Sequence, residues 1–530
     1  MRIVAQTTVF AFVLLLTAHA PGGDWTMFGG DPQRTGWARD EKILNKQNVA
    51  RLGLKWKVQL KNEPKSLTSL TAPIVVGGVT TESGPKDLVY VAGSGDLFYA
   101  LDAATGHVVW EKEFRTDVTA RRPGMWLCPK GVNATPAADL ERGTIYAIAT
   151  DGKLYALDLA TGQEKFRAPQ FVPPFAKAWS LNLRGSTVYT SLSQNCGDTP
   201  SGVAAIDLAD PVNYTIRVWR AARYAAGVWG RGGALIGRDG WIYGATGDGM
   251  FDPAENDFGQ TMFALDPDTL ELTDYFTPAN WDYVRKRDFD IGTTPVAFVY
   301  RNQELLAVGG KEGVVYLMEG ARPDETVMGG GDHHSNVFTT PLLANDEEWF
   351  EARGVWGNLS FYRDEENRHW VYVPLWGPLS ERAPTFPITN GPNPNGSVAA
   401  FTVEDHWETG KPYLKAAWIS SDFSVPEPVV IANGVVFALS NGENVRQTVN
   451  AGPFDRETFK AGDLLSDTQR TDNKANAQLR ALDAQTGKVL YDSGPDTFET
   501  WAHFSGIALA NGQVYAVDFA SNLYCFALQP

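Results

Sequence analysis

One phrase returns along this chain and limits what it can fold into. LVYVAGSGDLFYALDAATGHVVW occupies residues 88–110, and TIYAIATDGKLYALDLATGQEKF residues 144–166. Looser copies fall at 187–211, 241–270, 305–319, 370–378 with 397–405, 435–443 with 479–491, and 513–528. Eight copies spaced by about 45 to 75 residues predict a stacked or radial repeat, not the several domains that length alone would suggest. Within a copy, Leu88, Tyr90 and Ala92, then Leu97, Tyr99 and Leu101, alternate with period two, the mark of strands with a buried face. Asp96 and Gly152 sit at hairpin turns. In the ALDxxTG phrase that follows, Asp102 can accept from backbone amides, while Thr105 and Gly106 supply the turn and its left-handed position. An aromatic residue a few positions on (Trp110, Phe166, Trp219, Trp418) is placed to dock between neighbouring sheets.

Sheets of this kind have apolar outer faces and must bury them on a neighbour, so the ring has to close. The expected fold is all-β: an eight-bladed β-propeller of four-stranded antiparallel blades, one domain over residues 21–530. LGLKWKVQL (52–60) resembles a Trp-bearing outer strand without the strands that should precede it, and the final copy lacks an outer strand. Pairing the two would fasten the ring and remove an exposed edge. A formal charge of −16 argues against nucleic acid and anionic membrane surfaces as partners and suits a cationic one. Residues 1–20 read as a signal peptide: Arg2 is the basic start, 9–18 the short apolar run, and Ala18-His19-Ala20 the cleavage site. That run is too short to span a bilayer, so a soluble, periplasmic or secreted protein with no transmembrane segment is expected. Cys128, Cys196 and Cys525 form neither CxxC nor CxxCH, so neither a zinc site nor attached haem is expected. An oxidising compartment allows one disulfide, and the sequence leaves its pairing open.

The ALDAxTGxxxW phrase resembles the pyrroloquinoline quinone (PQQ) repeat, over nearly all of the chain after the leader. The segment DWTMFGGDPQRTGWARDEKILNKQNVARLGLKW (24–56) resembles the start of quinoprotein alcohol dehydrogenases. The resemblance implies PQQ lying flat on a tryptophan near the axis and a calcium or lanthanide ion polarising its quinone. It also implies an aspartate base and a basic side chain at the quinone oxygens. Carried over residue by residue, Trp229 in GVWGRGG is the stacking tryptophan, and Asp248 in ATGDG replaces an asparagine metal ligand. Asp288 and Asp290 in RDFDIG match the D-x-D that supplies the base and a further ligand, and Lys311 in GGKEG matches the basic residue. Asp282 in NWDY is a rival base; Asp288 is preferred for its spacing to the strand that begins at Pro295-Val296. Three positions depart from the pattern. Cys128 stands where an adjacent cysteine pair is usual, Ala134 where an arginine would grip PQQ, and Gln194 or Asp198 where a glutamate ligand would be.

The expected function is therefore a PQQ-dependent dehydrogenase for an alcohol or sugar, with a separate electron-acceptor protein. Asp288 and Lys311 would be catalytic, Trp229, Asp248 and Lys311 would contact the cofactor, and Asp248, Asp288 and Asp290 would hold the ion. The alternative is a non-catalytic propeller serving as a scaffold or ligand-binding module in the cell envelope. A third reading is a hydrolase or lyase using the acidic cluster alone. A polar funnel at the axis favours an enzyme and a plugged, apolar axis the scaffold. Elsewhere, Asp332-His333-His334 is not expected to bind metal, because adjacent histidines point apart. Asp252, Glu255, Asn256 and Asp257 read as a solvated loop, and residues 441–478 as a polar surface excursion near one mouth of the ring.

Overall fold

Period-two hairpins leave each sheet with two faces to cover, and radial packing covers both. The computed structural model describes residues 23–118 and 128–530, apart from 350, 352, 451, 473 and 474. The leader expected over residues 1–20 lies outside the described residues. Eight antiparallel blades form the propeller. The first runs Ile74–Thr81, Gly84–Gly93, Leu97–Asp102, Val108–Glu113 in neighbour order, and most others repeat that meander. The second blade has three regular strands, Ala137–Asp139, Thr144–Ile148 and Leu154–Asp158, with single bridges from Lys153 to Gln170 and Leu157 to Glu164 at its outer edge. In the last blade, Ile507–Ala510, Gln513–Val517 and Asn522–Leu528 take Leu52–Gln59 as their fourth strand. Its register runs from Leu52 opposite Leu528 to Gln59 opposite Asn522, so the two ends of the ring close on each other as expected.

The repeated phrase is also a lock between blades. Trp56 Nε1 donates to the Ala103 carbonyl at 3.0 Å, Trp110 Nε1 to Leu159 at 2.9 Å, and Trp418 Nε1 to Ala484 at 2.9 Å. In each case an outer-strand indole reaches the ALDxxTG turn of the next blade. Asp102, Asp158 and Asp483 hold those turns by accepting from the amide two residues on, at 2.8, 3.1 and 2.9 Å. The glycine does two things there. Gly162 has φ +68°, and a Cβ on it would lie 2.6 Å from the Trp110 ring. Phe166 and Trp219 do not dock this way, for a local reason. The turn after Phe166 has no TG pair. The turn facing Trp219 carries Leu270, at φ +61°, where the glycine would be, and Leu270 fills the seat from the same apolar cluster.

Gly162→Ala is accordingly expected to destabilise the protein by about 2–3 kcal/mol, combining left-handed strain with overpacking against Trp110. Gly410→Ala is the control. Gly410 has φ +65° but open space around its Cβ position, so strain alone should cost about 1 kcal/mol. Equilibrium urea unfolding of both variants checks the difference.

Candidate active site

Three aspartates converge near the axis. Asp248 follows the strand Ile242–Ala245 of the fourth blade. A short helix, Trp281–Arg287, leads towards the fifth blade, and Asp288 caps its C-terminal end at φ +58°. Asp248 is also left-handed, at φ +61°. Two non-glycine residues in this strained region persist only because their surroundings over-determine them. Asp290, two residues further, is almost wholly buried. Carboxylate oxygens of all three lie within 4.8 Å of one another. Gly247 permits that approach, since a Cβ there would sit 2.6 Å from the Asp290 Cβ.

Two cations bind the cluster together. Lys311 Nζ donates to Asp288 Oδ2 at 2.8 Å and to Asp290 Oδ2 at 3.2 Å. Arg456 Nη2 donates to Asp248 Oδ1 at 2.7 Å and to Asp288 Oδ1 at 2.5 Å. Asp290 Oδ1 also accepts from the Asp248 amide at 2.9 Å and from Gln260 Nε2 at 3.1 Å. Trp229 Nε1 donates to Asp248 Oδ2 at 3.1 Å, and Gln194 Nε2 reaches the same oxygen at 3.4 Å. Asp282 and Asp198 stay outside. Asp282 sits on the helix surface paired with Arg285 and Lys286, and Asp198 is exposed.

Three carboxylates against two cations leave a surplus negative charge in a buried place. Burial, reinforced by Asp290 and Asp248, pushes the Asp288 carboxyl well above the usual carboxylate range despite Lys311. At Asp248 burial acts in the same direction, but Arg456 and Lys311 overcome it and hold that carboxyl low. Lys311 is itself held above the ordinary lysine range, because the three carboxylates outweigh its burial. Asp288 is thus the member of the cluster where a proton resides most easily.

Trp229, Asp290 and Lys311 line a cavity of about 970 Å³, counted out to its open mouth. Asp248 and Asp288 sit behind that wall, hydrogen-bonded to its Trp229 and Lys311. Trp356 and Trp376 stack at 4.6 Å and 10° on the cavity lining, with Phe504 6.4 Å from Trp356. Trp179 stands 6.1 Å from Trp229. Lys177 Nζ lies 4.7 Å from the Trp229 ring centre and 5.1 Å from that of Trp179. The Arg231 guanidinium is 5.5 Å from Trp179 and 5.7 Å from Phe504. Neither cation has a carboxylate partner among the described residues. Cation–π contacts contribute roughly 0.5–2 kcal/mol each, less than the several kcal/mol that burying an ion costs. Burial and neighbouring Arg231 accordingly pull the Lys177 ammonium down to about 7, and burial pulls Arg231 down to about 10. On another part of the lining, Glu443 accepts from Arg470 at 3.0 Å and sits 2.8 Å from His503 Nδ1.

Lys177, Arg231, Trp356, Trp376 and Arg456 were not among the residues picked out from the sequence. A signal existed for two of them. The dipeptide Trp-Gly occurs at Trp229-Gly230, Trp356-Gly357 and Trp376-Gly377, and all three tryptophans line this cavity. Arg456 comes from the 441–478 excursion, which therefore reaches inward to the cluster as well as lying at the surface. Two smaller readings need correction. Asp257 is buried and bound by Arg223 at 2.8 Å, not solvated. His333 and His334 do not point apart, since their Nδ1 atoms meet the Tyr275 and Thr277 carbonyls, two residues apart, at 3.0 and 2.6 Å. The open disulfide question resolves as Cys128–Cys196, with Cys525 buried and free.

Comparison with known proteins places this architecture. The PQQ-type family model described as the β-propeller domain of glucose/ethanol/alcohol dehydrogenases matches residues 25–183. A quinohemoprotein alcohol dehydrogenase of Comamonas testosteroni is 34% identical over 161 residues, 30% of this chain and 20% of that protein. Over residues 25–183 this chain matches the PQQ-type propeller and is similar to quinohemoprotein alcohol dehydrogenases. Quinohemoprotein alcohol dehydrogenase ADH-IIG of Pseudomonas putida is 30% identical over 172 residues, 32% of this chain and 19% of that protein. The PQQ-repeat propeller thus aligns with about a fifth of the length of these relatives. Among solved structures, the Comamonas enzyme superposes with a TM-score of 0.58 at 16% identity, covering 96% of this chain and 80% of that one. A europium-containing methanol dehydrogenase gives 0.56 at 14% identity, covering 96% and 98%. At such identities these superpositions establish the fold of the propeller. The family match ends before Trp229, so the aspartate cluster rests on its own geometry.

Proposed function

We propose that this PQQ-repeat propeller is a PQQ-dependent dehydrogenase that oxidises an alcohol or sugar outside the cytoplasm and hands electrons to a separate acceptor. The observation that carries this reading is the convergence of Asp248, Asp288, Asp290 and Lys311 on one another, with Trp229, Asp290 and Lys311 lining one cavity. An open cavity with charged side chains on its wall, in place of a plugged apolar axis, favours the enzyme over the scaffold.

The residues present fit both groups. Trp229 offers a flat aromatic face, and Lys177 and Arg231 are buried cations in need of anionic charge, which suits a planar polycarboxylate. For the ion, carboxylate oxygens within 4.8 Å of one another match the roughly 5 Å between opposite ligands around calcium or a similar hard cation. When bound, PQQ supplies the two-electron acceptor and the ion the charge that polarises its quinone. Asp288 would accept the substrate hydroxyl proton, its carboxylate held in place by Lys311. Lys311 presents a fixed positive charge at the cavity wall. Asp290, tied by Gln260 and the Asp248 amide, would hold the ion together with Asp248 and Asp288. Trp229 forms the floor and orients Asp248 through its Nε1.

Arg456 must leave Asp248 and Asp288 for an ion to reach all three carboxylates. Arg456→Gln is therefore expected to bind Tb³⁺ about tenfold more tightly than the wild type. Luminescence sensitised by nearby tryptophan reads that affinity, and an unchanged value would show that the guanidinium does not compete. An exported location is supported by the leader-like residues 1–20, and a cationic acceptor by the charge of −16. Among the described residues no helix is long and apolar enough to cross a membrane. The test of the reading is reconstitution with PQQ and Ca²⁺ or La³⁺, followed by dye-linked oxidation of alcohols and aldoses. Dye reduction that needs both groups is the expected result. Bound PQQ with no oxidation of any alcohol or aldose would contradict it.

A further inference from the structure

Two cations on the cavity lining make no ion pair with any carboxylate among the described residues. Lys177, on the short strand Lys177–Ala178, is 8% exposed, and no hydrogen bond ties its ammonium among the described residues. Arg231, 6% exposed, gives its Nη1 and Nη2 only to the carbonyls of Asn133 and His503, at 3.4 and 3.2 Å, and its buried Nε has no acceptor. Both line the cavity, and both lie over the Trp179 ring. The carboxylates nearest the cavity are already committed: Asp290 to Lys311 and Gln260, Glu443 to Arg470 and His503. Glu427 and Glu443 act on Arg231, and Asp248 on Lys177, only from beyond ion-pair contact, so these two buried cations against aromatic faces can still take an anion from outside.

We propose that Lys177 and Arg231 form a carboxylate clamp that selects planar aromatic acids for this cavity. The ring of such a ligand lies along Trp229, and one of its carboxylates pairs with the Lys177 ammonium and the Arg231 guanidinium. The two residues come from different blades, third and fourth, so the clamp depends on the closed ring and not on any local motif. The inference deepens the PQQ reading, because PQQ is one planar aromatic polycarboxylate. It does not depend on the chemistry at Asp288, since the clamp binds carboxylates whether or not anything is oxidised. The low proton affinity of Lys177 agrees with it: the ammonium lacks a partner that a carboxylate would provide.

The test is calorimetric titration of the full chain with two probes, PQQ and pyridine-2,6-dicarboxylate, for the wild type, Lys177→Met, Arg231→Met and Lys177→Arg. Unchanged thermal unfolding confirms that each variant is folded. Both methionine variants are expected to lose roughly 10- to 100-fold in affinity for either probe, and Lys177→Arg to keep most of it. The dimethyl ester of the pyridine acid should bind the wild type as weakly as the free acid binds the methionine variants. If the dicarboxylate binds in this pattern and PQQ does not, the clamp stands and the PQQ reading fails. If PQQ binds the methionine variants as tightly as the wild type, the clamp is overturned and the PQQ reading stands. Failure of both probes on the wild type also overturns the clamp.

Discussion

Lys311→Met is expected to cost roughly 3–5 kcal/mol of stability at neutral pH, because it leaves Asp288 and Asp290 buried with an uncompensated charge. Lys311 is almost buried and bonds both carboxylates, and among the described residues Arg456 alone would remain in contact with the cluster to balance it. The loss should depend on pH with a definite sign. Asp288 already has its carboxyl pushed above the ordinary range in the folded protein, so the folded state binds more protons than the unfolded one as pH rises past about 4. Stability from this group therefore falls with rising pH, and removing Lys311 raises the folded-state proton affinity of Asp288 further. The variant should approach wild-type stability near pH 4–5 and fall furthest behind above pH 7. Adding Asp288→Asn to Lys311→Met removes the stranded charge and should recover part of the deficit at pH 7. Urea unfolding of the three proteins at pH 5 and pH 7.5 checks all of this. An equal loss at both pH values would show that Lys311 acts through packing and not through charge.

Asp288→Ala is expected to lower turnover by roughly 10²- to 10⁴-fold, the usual contribution of a positioned base. PQQ affinity should change by less than about threefold, since Asp248 and Asp290 still face the ion and Trp229 still forms the floor. Asp282→Ala is the decisive comparison. Asp282 is half-buried on the Trp281–Arg287 helix and its partners are Arg285 and Lys286, so its loss should leave turnover unchanged. Steady-state dye-linked assays on reconstituted variants separate the two aspartates. A drop in the Asp282 variant with none in the Asp288 variant would reverse the assignment of the base.

What the sequence makes legible here depends on how local the interaction is. The LDxxTG phrase and its following tryptophan can be read because each copy repeats the same short-range turn, and Trp110 on Gly162 is that phrase meeting its neighbour. The pairing of Leu52–Gln59 with Asn522–Leu528 is long-range, yet it is readable because each end lacks the strand that the other supplies. Trp229, Asp248, Asp288, Asp290 and Lys311 are readable through the resemblance, and the structure brings them into one cluster. Lys177 and Arg231 carry no such mark. Each is a single cation in an ordinary strand or turn, and only closure of the ring brings both to one cavity, where neither meets a carboxylate in ion-pair contact. Arg456 illustrates a second blind spot. A polar excursion between two strands of one blade reads as solvated surface, and nothing local indicates that one of its side chains turns back towards Asp248 and Asp288. Phe166 errs in the opposite sense. Its position in the phrase suggests docking, but the glycine seat it needs belongs to the next blade, where the sequence lacks it.

The most direct measurement is calorimetric titration of the purified protein with PQQ, in the presence of Ca²⁺ or La³⁺ and in their absence, beside an Asp288→Ala/Asp290→Ala control. Removing two of the three carboxylates should remove the ion, which loss of Asp288 alone does not. Micromolar or tighter binding that requires the ion and disappears in the control is the predicted result. No PQQ binding under any ion condition would contradict the dehydrogenase reading and leave a propeller whose cavity serves a different ligand.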